Sequence, residues 1–179
     1  MSAASPALTL DEKSTLTAEV LRNLLSYDAE TGIFTWRGKP NGRVAHGAQA
    51  GTLLPDGYVR IKLRRKLYLA HRLAWFYVHG VWPENEIDHI NRTRSDNRIA
   101  NLREATKSEN LQNQISAQRH NTTSKLLGAS WHEGRQKWQA QIYINGKAKY
   151  LGLFKTKEEA HAAYLAAKRE LHPFSTIKD

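Results

Sequence analysis

The chain has 179 residues, with 27 Lys and Arg against 17 Asp and Glu, a formal net charge of +10, and no cysteine. That length allows one large domain or two small ones, and the missing thiols exclude disulfides and any thiolate-held metal, including a four-cysteine zinc brace. A hydrophobic fraction of 40% supports small cores. There is no apolar run long enough to cross a bilayer, and residues 1–10 lack a basic start and an apolar core, so a soluble, non-exported protein is expected.

The charge is unevenly placed. Residues 1–35 carry −3, residues 36–80 carry nine basic side chains against one acidic, residues 81–120 balance, and residues 121–179 carry +5. A neutral segment between two basic ones suits a polyanion lying across both, held by salt-dependent phosphate contacts.

In chain order, residues 1–14 are small and polar, and read as disordered. Thr17 is placed to cap a short helix whose Val20, Leu21, Leu24 and Leu25 form one apolar stripe. A turn over 27–32 and a strand over 33–36 follow, and this opening reads as core packing rather than chemistry. Residues 37–52 are a basic, glycine-bearing loop punctuated by Pro40, Asn41 and Gly42, without the pattern of a nucleotide-binding loop. Residues 58–63 alternate: Val59, Ile61 and Leu63 on one face, Tyr58, Arg60 and Lys62 on the other. Arg64, Arg65 and Lys66 make the turn and 67–70 the return strand. A helix over 71–79 packs Leu73, Ala74, Tyr77 and Val78 and ends at Gly80. Its His71 reads as packed or DNA-facing, and His79 as a helix C-terminal histidine.

The stretch from Glu86 to Asn110 stands apart. It holds an Asp-His pair, Asp88 and His89, between Ile87 and Ile90. A polar turn follows over 92–96, then Asn97, then Asn101 before Leu102, and finally Asn110 on a segment that Thr106 can cap as a helix through Asn113. Asn101 follows His89 by 12 residues and Asn110 follows Asn101 by 9. Strand, turn, strand and helix can gather Asp88, His89 and Asn110. A carboxylate and an amide oxygen are hard donors suited to Mg²⁺ or Mn²⁺, and a neutral imidazole beside them can take a proton from water near pH 7.

Over residues 58–113 this resembles the HNH nuclease family, with its ββα-metal motif, and specifically the phage homing-endonuclease branch. The resemblance implies that Asp88 and Asn110 hold the metal, that His89 is the general base, and that Asn101 fixes the loop and the imidazole. Asn97 would be structural. Asn113, one helical turn beyond Asn110, could exchange roles with it.

Beyond the polar residues 115–125, read as a linker, the pattern changes. A strand begins near Gly128–Trp131, residues 137–144 alternate, and Asn145-Gly146 is the strongest hairpin signal in the chain. Residues 148–154 form a third strand, and Thr156 caps a helix over 157–171 that packs Ala160, Ala163, Tyr164 and Ala167. Lys137, Gln139, Gln141 and Tyr143 share one strand face, where Gln can pair with adenine and Lys can reach guanine or phosphate. Trp131 and Tyr150 fit sheet packing and base contact equally well. Gly128, Lys137-Trp138, Ile142, the run from Tyr150 to Phe154, Glu158-Glu159-Ala160 and Ala163-Tyr164 make this region similar to the plant APETALA/ethylene-response-factor DNA-binding domain. Ser130, Gln141, Tyr143 and Tyr150 depart from that family's base-contacting residues, so DNA binding carries over and the plant target does not.

The expected fold is α+β: an HNH domain over 15–114 with its ββα-metal core at about 84–114, then a DNA-binding domain over 126–173 of three antiparallel strands on one helix. The expected function is metal-dependent cleavage of double-stranded DNA, with Arg60, Lys62, Arg64, Arg65, Lys66, Arg135, Lys137, Gln139, Gln141 and Tyr143 as DNA contacts. The resemblance implies a phage-encoded, homing-type monomer acting in the cytoplasm of a bacterial host, using Mg²⁺ or Mn²⁺ and no structural zinc. The rival reading is a sequence-specific DNA-binding regulator with an inactive HNH core. A packaging factor is a third reading, and no residue pattern asks for it.

Overall fold

The computed structural model describes residues 16–38, 44–114, 117 and 121–176. The expected disordered tail, the Pro40-Asn41-Gly42 punctuation and five positions of the expected linker lie outside the described residues. The chain forms two compact units, one running to Glu104 and one starting at Ala105. The division falls ten residues ahead of the expected linker, so the helix of the Glu86–Asn110 stretch is grouped with the C-terminal unit.

In the first unit, α1 (Ala18–Leu24) starts at Thr17, whose side chain accepts from the Val20 amide. The helix is one residue shorter than its apolar stripe. Leu25 is extended instead and opens β1 (Leu25–Tyr27), which pairs antiparallel with β2 (Phe34–Trp36). A second sheet has the order β3-β4-β5, with β3 at Thr52–Leu53, β4 at Val59–Leu63 and β5 at Lys66–Leu69. As the alternation requires, Ile61 and Leu63 are buried while Arg60 and Lys62 are exposed. The turn holds two residues rather than three: Leu63 pairs with Lys66, and Arg64 and Arg65 bridge them at φ 46° and 69°. Then α2 (Ala70–His79) runs to a left-handed Gly80 whose N–H donates to the Phe76 carbonyl. Leu21, Leu25, Phe34, Ile61, Leu63, Leu73, Ala74 and Ile87 fall in one apolar core. Arg22 ties α1 to α2 through the Tyr77 carbonyl at 2.6 and 3.1 Å.

A short two-stranded sheet of β6 (Glu86–His89) and β7 (Leu102–Ala105) follows. Residues expected to extend β7 toward Asn97 form a turn of 3₁₀ helix at Ile99–Asn101 instead. The Asn101 and Asp96 side chains supply local hydrogen bonds that compete with a ladder there.

The second unit contains α3 (Lys107–Gln112), started by a capping box in which Thr106 and Glu109 satisfy each other's backbone amides. Its sheet has the order β10-β9-β8, with β8 at Ala129–His132, β9 at Lys137–Ile144 and β10 at Lys147–Phe154. A second capping box, Thr156 with Glu159, opens α4 (Lys157–Leu171). Ala129, Ala140 and Ala160 meet in its core, with Trp138, Leu151 and Phe154 around them. Small side chains are needed there, because a Cβ on Gly128, whose φ is 74°, would stand 2.0 Å from the Tyr164 ring. A bulge after Tyr150 keeps Tyr150 opposite Gln141 and places Gly152 opposite Ala140.

Candidate active site

Asp88 and His89 end β6, and both are buried, at 6% and 4% exposure. Alternation alone would send one of two successive side chains outward. His89 is met by Asn97 from the 90–101 loop and Asp88 by Arg103 from β7, and a dense set of hydrogen bonds holds that loop. Asn101 Oδ1 accepts from the Asn91 amide at 2.9 Å, and its Nδ2 donates to the Asp96 carbonyl at 2.8 Å. Asn91 Nδ2 donates to Asp96 Oδ2 at 2.7 Å. Arg98, bonded to the Asp96 carboxylate, holds that group down to a pKa of about 2. Arg94 donates to the Asp56 carbonyl and lies over the Tyr58 ring. Asn101 therefore ties the two ends of the loop together.

It does not orient the imidazole. That contact comes from Asn97, whose Oδ1 is 3.4 Å from His89 Nε2. Asn97 Nδ2 donates to the Ser95 carbonyl at 3.1 Å, which turns the amide oxygen toward the ring. That geometry suits a proton on Nε2, donated to the amide oxygen. Burial lowers the His89 pKa, and the Asn97 bond and the Asp88 charge only partly offset it, so the ring is neutral at pH 7.

The N-terminal hairpin, read from sequence as packing alone, supports this arrangement directly. The Tyr27 hydroxyl, buried enough to raise its pKa to about 12, donates to the Asn97 carbonyl at 2.7 Å. At Gly32 the backbones come close: with φ at 73°, a Cβ would lie 2.4 Å from Arg98 N and 2.5 Å from Asn97 C. Only glycine fits.

Three further residues join the site that the sequence reading left outside it. Arg103 Nε and Nη2 donate to Asp88 Oδ2 at 2.9 and 2.7 Å, so the carboxylate is already held by a cation on β7. His71, on the first turn of α2, meets His89 edge-on with ring centroids 5.0 Å apart. Tyr58 packs against both imidazoles, at 5.2 and 5.9 Å. Burial pushes the His71 pKa down to about 3, and its Nδ1 is enclosed without a hydrogen-bond partner. His71 is the second residue of the helix that follows β5, and Arg103 sits two residues after Asn101 on the strand paired with β6.

Among the described residues no group of three or more His, Cys, Asp or Glu could hold a metal ion. The expected pair is Asp88 with an amide, and its chemistry fits a hard, oxygen-seeking cation: a buried carboxylate that already accommodates a positive partner. Asn110 is half-buried on α3 in the second unit. Asn113 is buried there, and its Oδ1 accepts from the Thr176 hydroxyl at 2.8 Å.

The expected DNA contacts divide between the units. Arg60, Lys62, Arg64, Arg65 and Lys66 are all exposed on β4, β5 and their turn. In the second unit Lys137, Gln139, Gln141 and Tyr143 lie on the sheet face opposite buried Ala140 and Ile142, with Tyr143 and Tyr150 each 58% exposed. Gln139 and Gln141 bond to each other at 3.2 Å, and Arg135 ends a 3₁₀ turn at Glu133–Arg135. Trp131 packs edge-on against Trp138, its cross-strand partner, and donates to Glu133.

Among the described residues no helix is long and apolar enough to cross a membrane. No curated protein and no solved structure matches the chain. The family model described as HNH endonuclease does match, from Tyr68 on β5 through Gln112 at the end of α3, and residues 68–112 form an HNH endonuclease domain.

Proposed function

We propose that the protein is a metal-dependent DNA endonuclease of homing type, with His89 as general base and the second unit as a DNA-reading module. One observation carries the reading: within the HNH match, a buried His89, its pKa lowered by burial, lies against the Asn97 amide oxygen and next to Asp88. His89 then takes the proton of a water aligned with the scissile phosphorus, and the 3′ oxygen leaves, giving a 5′ phosphate. Asp88 and Asn110 would hold the divalent ion, Mg²⁺ or Mn²⁺, which supplies positive charge to the phosphate as it reacts. Arg103 keeps Asp88 in place, and Tyr58 and His71 exclude water from the imidazole's flank. The exposed basic strands of the first unit supply backbone contacts that carry no sequence information, and the Lys137, Gln139, Gln141, Tyr143 face reads a groove.

The test is cleavage of supercoiled plasmid with Mg²⁺ and with a chelator. The intact protein should cut only with the ion, and His89→Ala should lower the rate by a factor on the order of 10² while leaving DNA binding nearly intact. Binding without any metal-dependent cutting would hand the protein to the regulator reading.

A further inference from the structure

Among the described residues two hairpins are joined by two-residue connections in which both central residues have positive φ. In β9–β10 these are Asn145 and Gly146, at 50° and 78°. This is the pair that adopts such a turn with least strain, since Asn tolerates the left-handed region and Gly lacks the Cβ that clashes there. In β4–β5 the same positions hold Arg64 and Arg65, at 46° and 69°. Arginine has no such tolerance. Two adjacent left-handed arginines make a turn less favourable than the alternative this chain uses elsewhere.

What arginine offers instead is charge and reach. Both side chains are exposed, and so are Lys66 beside them and Arg60 and Lys62 on the outward face of β4. The ribbon that ends in this turn is thus basic along one face and at its tip, within a segment carrying nine basic side chains and one acidic. Planar guanidinium groups match phosphate oxygens two at a time.

We propose that the Arg64-Arg65 turn is a duplex-DNA anchor, retained against the stability of its own hairpin because its two guanidinium groups grip backbone phosphates. The proposal rests on the nuclease reading for its substrate, and adds which element holds the duplex and what the fold gives up for it.

The experiment compares the full chain with R64Q/R65Q, R64K/R65K and R64N/R65G, by fluorescence anisotropy on a short duplex with chelator present, over a salt series. Thermal unfolding is measured alongside. R64Q/R65Q and R64N/R65G should bind about tenfold or more weakly near 0.1 M salt, with the salt slope reduced by roughly 2, whereas R64K/R65K keeps the slope. R64N/R65G should unfold about 3–6 °C higher than the parent chain. Unchanged affinity and slope in R64Q/R65Q would overturn the anchor and leave the charged tip to an acidic protein partner. A lower Tm in R64N/R65G would overturn the strain argument. The two readings fail separately: a parent chain that cuts plasmid while R64Q/R65Q binds normally refutes only the anchor, and turn-dependent binding without metal-dependent cutting refutes only the nuclease.

Discussion

His71 shows how a single buried side chain ties stability to pH. Its folded pKa of about 3 lies below the 6.5 of an exposed histidine, because burial disfavours the charged ring. The unfolded chain therefore binds a proton that the folded chain refuses. Its contribution is fully present above pH 6.5 and is lost as pH falls toward 3, at up to about 1.4 kcal/mol per pH unit. Urea titrations at pH 7, 6 and 5 should show this decline, and His71→Phe should flatten it. The same substitution removes the enclosed, unpartnered Nδ1 while filling the space, so it should leave stability at pH 7 unchanged or higher. A steeper decline in the variant would mean that another group dominates. None of this was visible in sequence, where His71 is one of several histidines near an apolar helix. Asp88 and His89 were singled out in sequence by their joint spacing with Asn101 and Asn110, the pair alone being common. The division of labour between Asn97 and Asn101 was not legible, since it depends on which way each amide points once Ser95, Asp96 and Asn91 have taken their bonds.

At the level of elements, period and punctuation carried most of the reading. Alternation placed β4 and β9, the Asn145-Gly146 pair placed a hairpin, and Thr106 and Thr156 marked two helix starts. Departures arose where side chains compete with the backbone ladder, as at Ile99–Asn101, or where a strand claims a helix's last residue, as at Leu25. The β1–β2 hairpin packs into the core as read, through Leu25 and Phe34, and does more besides. Its turn is a buttress for the 97–98 backbone, and a long-range contact of this kind leaves no local pattern. Gly32→Ala tests it. The added Cβ meets backbone on the far side and sits at a φ of 73°, so the variant should lose about 2 kcal/mol or more of stability. It should also lose cleavage beyond what unfolding explains, because Asn97 moves. Cleavage per folded molecule equal to that of the parent chain would show that the buttress supports the fold alone.

For the molecule as a whole, sequence suggested a nuclease with a separable reader on a tether. The second compact unit starts at Ala105, and α3 shares it with the three-stranded sheet. Several bonds join the end of α3 to the chain's last segments: Lys168 Nζ donates to the Gln114 carbonyl, the Phe174 amide to Gln112 Oε1 at 3.4 Å, and Thr176 to Asn113. Ending the chain at Lys125 removes all of these partners. If Asn110 holds the metal, such a chain should need more Mg²⁺ for half-maximal cleavage as well as cut with less site preference. Cleavage-site mapping over a Mg²⁺ series on long duplex DNA separates the two effects. A shortened chain that loses preference but keeps the parent's Mg²⁺ requirement would favour the tethered-reader picture.

Lys168 gives this arrangement a chemical handle. Its side chain is wholly buried on α4, its ammonium directed to the Gln114 carbonyl, whereas lysines such as Lys137, Lys147 and Lys149 are exposed. An amine-reactive reagent modifies the exposed lysines at once and reaches Lys168 only when α4 parts from residue 114. The lag between the two, read by mass spectrometry of one peptide, is a clock for the opening of the second unit, and it runs in the unmutated protein.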